Sequence, residues 1–171
     1  LKNKGVKRPL IVVDYGIRDQ ASVGDIKKHL ADNGFPVLVY DNCIGNPTKK
    51  QVSEGVSVYH KEKADSLVLI GGGCALDVGK AIAVMVNHPG DLFDYEDDMP
   101  GALPIYADKL PFIVACPTTS GTGSEVGGSS VISDDITKTK KIIWAACLIP
   151  PVVLADPELT FSLPAPITRA V

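Results

Sequence analysis

The sequence predicts an α/β fold, a parallel sheet flanked by helices, and three observations carry that prediction. Short apolar, β-branched runs alternate with segments whose apolar residues recur about once per helical turn. The runs lack polar alternation, which is the pattern of strands buried on both faces. Turns rich in Gly, Ser and Thr directly follow two of the runs, where an open parallel sheet carries its ligand loops. At 171 residues, 45% of them hydrophobic and 22% charged, the chain suffices for one domain with a substantial core and is short for two.

The first strand is Pro9 to Val13, stopped by the turn Asp14-Tyr15-Gly16. Ser22 to Leu30 follows, with Val23, Ile26, Lys27 and Leu30 at helical spacing and Asn33-Gly34 as its stop. A second strand, Pro36 to Tyr40, leads into the loop Asp41 to Pro47. Thr48 then opens a helix whose Val52, Val56 and Tyr59 lie about one turn apart. A strand over 66–70 and a helix over 74–87 complete a βαβαβα alternation, which calls for a parallel sheet covered by helices. Residues 88–110 are rich in Asp, Pro and Gly and read as a long surface connection with one short helix at Leu92 to Tyr95. The strand Pro111 to Cys116 runs into the loop Pro117 to Val126. Ser130 to Ser133 and Lys141 to Trp144 are compatible with a hairpin across Asp134-Asp135, an assignment the residues leave open, and Val152 to Ala155 is a final strand.

Composition excludes several classes of partner. With 17 basic and 20 acidic residues the net charge is −3, so nothing marks a surface for a nucleic-acid backbone. The longest apolar runs, such as Ile142 to Val153 with its Pro150-Pro151 break, fall short of the ~20 residues that span a bilayer, and no membrane is expected. Leu1-Lys2-Asn3-Lys4 is not followed by a signal core. Cys43, Cys74, Cys116 and Cys147 are dispersed, without a C-x-x-C pair or zinc-ligand spacing, so a reduced, cytoplasmic protein is expected. His29, His60 and His88 fall in or beside predicted helices and are expected at the surface.

Three polar features sit at strand ends: Asp14, the glycine turn from Gly71, and the loop 118–124. Glycines let a backbone pass close to a ligand, and the free N–H groups of a helix start favour phosphate. The hydroxyls of Thr118, Thr119, Ser120, Thr122 and Ser124 can donate to phosphate or ribose. A carboxylate at the Asp14 position can accept from an adenosine ribose and repels a 2′-phosphate, which favours NAD over NADP; the plainer reading is a turn cap. Neither loop completes G-x-G-x-x-G, and Lys80 does not make a P-loop. The residues alone thus reach a nucleotide or phosphate site in an α/β fold.

Gly71-Gly72-Gly73-Cys74-Ala75-Leu76-Asp77-Val78-Gly79-Lys80 resembles the G-G-G-S-x-x-D-x-A-K signature of the iron-containing, metal-dependent alcohol dehydrogenases, a family that includes lactaldehyde and 1,3-propanediol reductases. Pro117 to Val126 resembles that family's P-T-T-x-G-T-G-S-E-V. Asn46-Pro47-Thr48 with Glu54-Gly55-Val56, and Asp156-Pro157-Glu158-Leu159-Thr160, resemble its N-P-T…E-G-V and D-P-x-L-T segments. The resemblance implies a dehydroquinate synthase-like N-terminal domain that binds NAD. It puts Asp14 at the ribose, Gly72, Gly73 and Cys74 at the pyrophosphate, Asp77 near the nicotinamide, Thr118, Thr119 and Thr122 along the cofactor, and Asn46 at the adenosine end. Lys140 matches a cofactor-contacting Lys, with Lys141 leaving the register open. Lys80 and Glu125 also match signature positions and are read as structural. Cys74 replaces the usual Ser, which weakens one polar contact, and Gly127 replaces a frequent Thr, which removes a hydroxyl near the cofactor.

The same resemblance implies hydride transfer between a small alcohol and its aldehyde or ketone, assisted by Fe2+ or Zn2+. The metal's ligands, one Asp and three His, belong to a helical second domain that this chain does not contain, so neither catalytic nor metal residues are assigned in it. Residues 1–171 are expected to be the cofactor half, truncated at both ends relative to the family, binding cofactor weakly and turning over no alcohol alone. The full-length protein is expected to be a homo-oligomer, and the fragment to self-associate through a bared interdomain face. A silent nucleotide-binding module, or an enzyme like glycerol dehydrogenase or dehydroquinate synthase, are the alternatives.

Overall fold

A computed structural model describes the backbone of residues 1–171 and the side chains of all of them except residue 170. In chain order its strands are β1 (Pro9–Asp14), β2 (Leu38–Cys43), β3 (Ser66–Gly71), β4 (Phe112–Pro117), β5 (Ser129–Ser133), β6 (Lys140–Trp144) and β7 (Val152–Val153). The α-helices are α1 (Ala21–Asp32), α2 (Lys49–Lys61), α3 (Gly73–Met85) and α4 (Ala165–Ala170). Five strands form a parallel sheet in the order β2-β1-β3-β4-β7, and β5 and β6 form a separate antiparallel hairpin.

The apolar runs of β1, β3 and β4 follow from burial on both faces. Leu10, Val12, Leu67, Leu69, Ile113 and Ala115 share one core with α2 and α3, while Ile11, Val13, Val68, Ile70, Val114 and Cys116 pack with Val23 and Leu30 of α1. Helix α2 starts at a reciprocal cap: the Gln51 N–H donates to Thr48 Oγ1 at 3.3 Å and the Thr48 N–H donates to Gln51 Oε1 at 3.0 Å. Helix α3 is buried from Ala75 to Val84 because it lies between the sheet and the hairpin, whose Ile132 and Ile143 join the same core. A helix apolar on every side requires cover on every side.

Some expectations change and one open assignment resolves; the final strand, expected over Val152 to Ala155, is only Val152–Val153, paired with Val114 and Ala115 of β4. The second strand begins at Leu38 rather than Pro36, since Pro36 has no N–H for the ladder, and it continues through Cys43, which pairs with Asp14 across a register irregularity. The open hairpin assignment resolves into β5 and β6, joined from Ser129 opposite Trp144 to Ser133 opposite Lys140. His88 is not at the surface: it is 6% exposed, its Nδ1–H donates to the Val84 carbonyl at 2.9 Å, and its Nε2 accepts from the Tyr106 N–H at 2.9 Å. The connection after α3 therefore folds back onto the ring, and Tyr106 stacks on it. His29 and His60 are exposed.

On the α1 side a groove of about 700 Å³ lies open over β3, β4 and β7, lined by Ile26, Leu30, Phe35, Val68, Val114 and Val152 among others. Among the described residues no helix is long and apolar enough to cross a membrane.

Candidate functional site

The strand order reverses between β1 and β3: the chain leaves β1 for β2 on one side and returns to β3 on the other. Loops at the carboxyl ends of two such strands diverge and leave a crevice, the usual ligand position in open α/β sheets. Asp14 ends β1 and Gly71 ends β3 at this point. Gly71 has φ of 150°, and a Cβ there would lie 2.8 Å from Ala75 Cβ and 2.9 Å from Asp14 Cβ, so no other residue fits. Gly72 is the N-cap of α3, and a Cβ on it would come within 3.2 Å of Thr119 Cγ2. The Thr118 N–H donates to the Gly71 carbonyl at 3.0 Å. The glycine turn and the Thr/Ser loop are thus pressed together at the start of α3.

Beside this junction lies a cleft of about 360 Å³. Six of the residues that the family resemblance puts at the cofactor line it: Asn46, Gly73, Cys74, Asp77, Thr122 and Lys140. Gly45, Pro47, Gly123, Ser124 and, from the hairpin, Ser129, Val131 and Ser133 complete the wall. Asp14, Gly72, Thr118 and Thr119 do not line the cleft itself; they build the turn at its edge. Lys140, not Lys141, borders the cleft, because alternate residues of β6 face opposite ways and Lys141 Nζ turns to Glu96 Oε2 at 2.5 Å.

The electrostatics favour binding over covalent chemistry. Burial pushes the Asp14 carboxyl up, and the Gly72 N–H pulls it partly back. Cys74 stands in the first turn of α3, yet burial, with Asp14 and Asp77 adding to it, pushes its thiol up to about 12. It remains a thiol at neutral pH and is no nucleophile. Asp77 Oδ2 accepts from the Val131 N–H at 3.1 Å, and the Asp77 carbonyl accepts from Ser130 Oγ at 2.7 Å, so this residue holds the hairpin against α3.

Lys80, set aside as structural in the sequence, proves central to the site's construction. It is 0% exposed; its ammonium donates to the carbonyls of Ser124 at 3.0 Å, Gly127 at 3.4 Å and Ser129, and lies 3.2 Å from Asp77 Oδ1. The signal was present as a lysine inside the apolar stretch Val78–Val84 with an aspartate three residues earlier: such a cation must find partners. The hairpin wall carried no such signal, since its serines and Val131 are ordinary strand residues.

Two features test whether a phosphate-bearing ligand suits these residues. The glycine turn leaves a backbone surface that side chains would fill, and Thr119 Oγ1 is buried without a hydrogen-bond partner. With the α3 N-terminus and the cleft hydroxyls, this donor set suits an anionic nucleotide. A metal is different. Among the described residues no group of three or more His, Cys, Asp or Glu stands together to hold one.

A sequence model described as iron-containing alcohol dehydrogenase matches residues 1–157. The 4-hydroxybutyrate dehydrogenase of Cupriavidus necator is 39% identical over 168 residues, which is 97% of this chain and 42% of that protein. A solved 1,3-propanediol oxidoreductase superposes with a TM-score of 0.91 at 35% identity, covering 99% of this chain and 43% of its own. The sulfoacetaldehyde reductase from Bifidobacterium kashiwanohense, solved in complex with NAD+, superposes at 0.85 with 29% identity, over 95% of this chain and 42% of its own. The chain spans less than half the length of these relatives.

Proposed function

The chain belongs to the iron-containing alcohol dehydrogenase family, and on that premise we propose that its cleft is the NAD half-site of an oxidoreductase interconverting a small alcohol and its aldehyde or ketone. The observation that carries the reading is the junction at the β1/β3 reversal, where Gly71 admits no side chain, α3 begins, and Thr118 and Thr119 close over the turn. The relative solved with NAD+ shares this domain's fold.

In this reading the N–H groups of Gly73 and Cys74 and the hydroxyls of Thr119 and Thr122 take the pyrophosphate, and Asp14 accepts from a ribose hydroxyl. Asn46 and Lys140 reach the cofactor from the opposite wall, and Asp77 stands toward the nicotinamide. When bound, the nicotinamide supplies a hydride acceptor; this chain's residues orient it and move no proton. Backbone donors carry the anion contacts, so the Cys74 thiol costs little. An Fe2+ or Zn2+ site, the substrate pocket and the homo-oligomer belong to the whole protein as proposed. The alcohol or aldehyde is the proposed partner, and neither nucleic acid nor membrane is. A cytoplasmic location is part of the proposal, supported by four free cysteines.

Trp144, 52% exposed and paired with Ser129 of the cleft wall, is the single tryptophan and a natural probe. Titration of the chain with NAD should quench or shift its fluorescence saturably, with weaker response to NADP. Asp14→Gly should narrow that preference. A folded chain that binds neither nucleotide would remove the assignment.

A further inference from the structure

The strongest unassigned feature is the buried ammonium beneath the Thr/Ser loop. Lys80 reaches across 44 to 49 residues of sequence to the carbonyls of Ser124, Gly127 and Ser129. Its hydrogens go to these three carbonyls, and Asp77 Oδ1, 3.2 Å away, is its ion-pair partner. Glu125 adds a further negative charge nearby, with Oε2 buried and unpartnered. Burial lowers the Lys80 pKa, while Asp77 and then Glu125 hold it up. A cation so placed has no exit to water, and its partners have no other donor of comparable strength.

The consequence is geometric. In a trans peptide the N–H of one residue points opposite to the carbonyl of the residue before it. With the Ser124 and Gly127 carbonyls drawn inward, the N–H groups of Glu125 and Gly128 face away from the ammonium. We propose that Lys80 is a positioning residue for the nucleotide cleft: held by Asp77, it collects the acceptor edge of segment 124–129 and thereby fixes the orientation of the loop and of the β5 wall. The ligand's chemistry rests on the nucleotide reading above, but the orienting role does not.

The test uses the chain in two forms beside wild type, Lys80→Met and the double variant Lys80→Met with Asp77→Asn, and takes Asp77→Asn alone as the reference for binding. The double variant removes both charges of the pair, so it avoids an unpaired buried carboxylate at position 77 and should melt above the single variant, staying folded even if the single variant unfolds. Amide exchange without ligand should rise about a hundredfold across 124–129 in both variants, while β1 and β3 keep their protection in the double variant. NAD affinity should fall about tenfold or more in the double variant relative to Asp77→Asn alone, the reference that carries the same change in the cleft. Wild-type protection at 124–129 in the double variant would overturn the proposal. A freed loop beside a wild-type chain that binds no NAD would support the orienting role and overturn the nucleotide reading, so the two failures are distinct.

Discussion

Asp14, the proposed ribose contact, stands at a cost to the fold. Burial raises its pKa, so the folded chain holds this proton more tightly than the unfolded chain does. By linkage, the stability contributed is greatest below the ordinary carboxylate range and is lost as pH rises through the raised value. At neutral pH the ionised Asp14 is therefore a net burden. Asp14→Asn, which keeps an oxygen for the Gly72 N–H, should be more stable than wild type at neutral pH in urea denaturation. That advantage should shrink as pH falls toward the carboxylate range; a constant difference would contradict it. At this scale the sequence spoke clearly where chemistry is unusual. Asp14 at a strand end and the glycine turn declared themselves, whereas Lys80 looked like any helix lysine until its three carbonyl partners, all distant in sequence, were brought to it. The burial of His88 is illegible for the same reason, because the Tyr106 N–H that meets its ring arrives from a loop with no periodicity to read.

Helices meet the sheet and one another at positions where glycine is a spacing device. A Cβ on Gly55 of α2 would stand 2.2 Å from Ile82 Cδ1 of α3 and 3.3 Å from Tyr40 Cδ1 of β2, inside a core where Ile82 is fully buried. A Cβ on Gly24 of α1 would meet nothing within 4 Å. The same substitution should therefore change sign between the two helices. Gly55→Ala should lower unfolding stability by about 1–3 kcal/mol through overpacking, and Gly24→Ala should raise it by roughly 0.5–1 kcal/mol through reduced backbone entropy. Equal effects in thermal and urea melts would refute the packing argument. Element identities were legible because two-sided burial writes uninterrupted apolar runs and amphipathic helices write a period. The hairpin was less so, since β6 places Lys141 inward against Glu96 and leaves Ile142 and Trp144 exposed, against the usual inside-outside pattern.

At the scale of the molecule the two sheet faces are unequal. One is covered by α2 and α3, with the hairpin packed beyond α3; the other carries α1 over β1 and leaves the apolar groove along β3, β4 and β7. Parallel strands are ordinarily covered on both faces, so the 171-residue chain should self-associate, its sedimentation coefficient rising with concentration. A single monomer species at high concentration would exclude this. The cleft also has a consequence in time. Its walls come from the segments at Gly45–Pro47, Gly73–Asp77, Thr122–Ser124 and Ser129–Lys140, the last of which enters only after four strands of the sheet have been made. No partial chain presents all of these groups to a ligand. Occupancy is therefore a property of the finished fold: a bound ligand acts as a brake on opening, lengthening the lifetime of the native chain without hastening its formation.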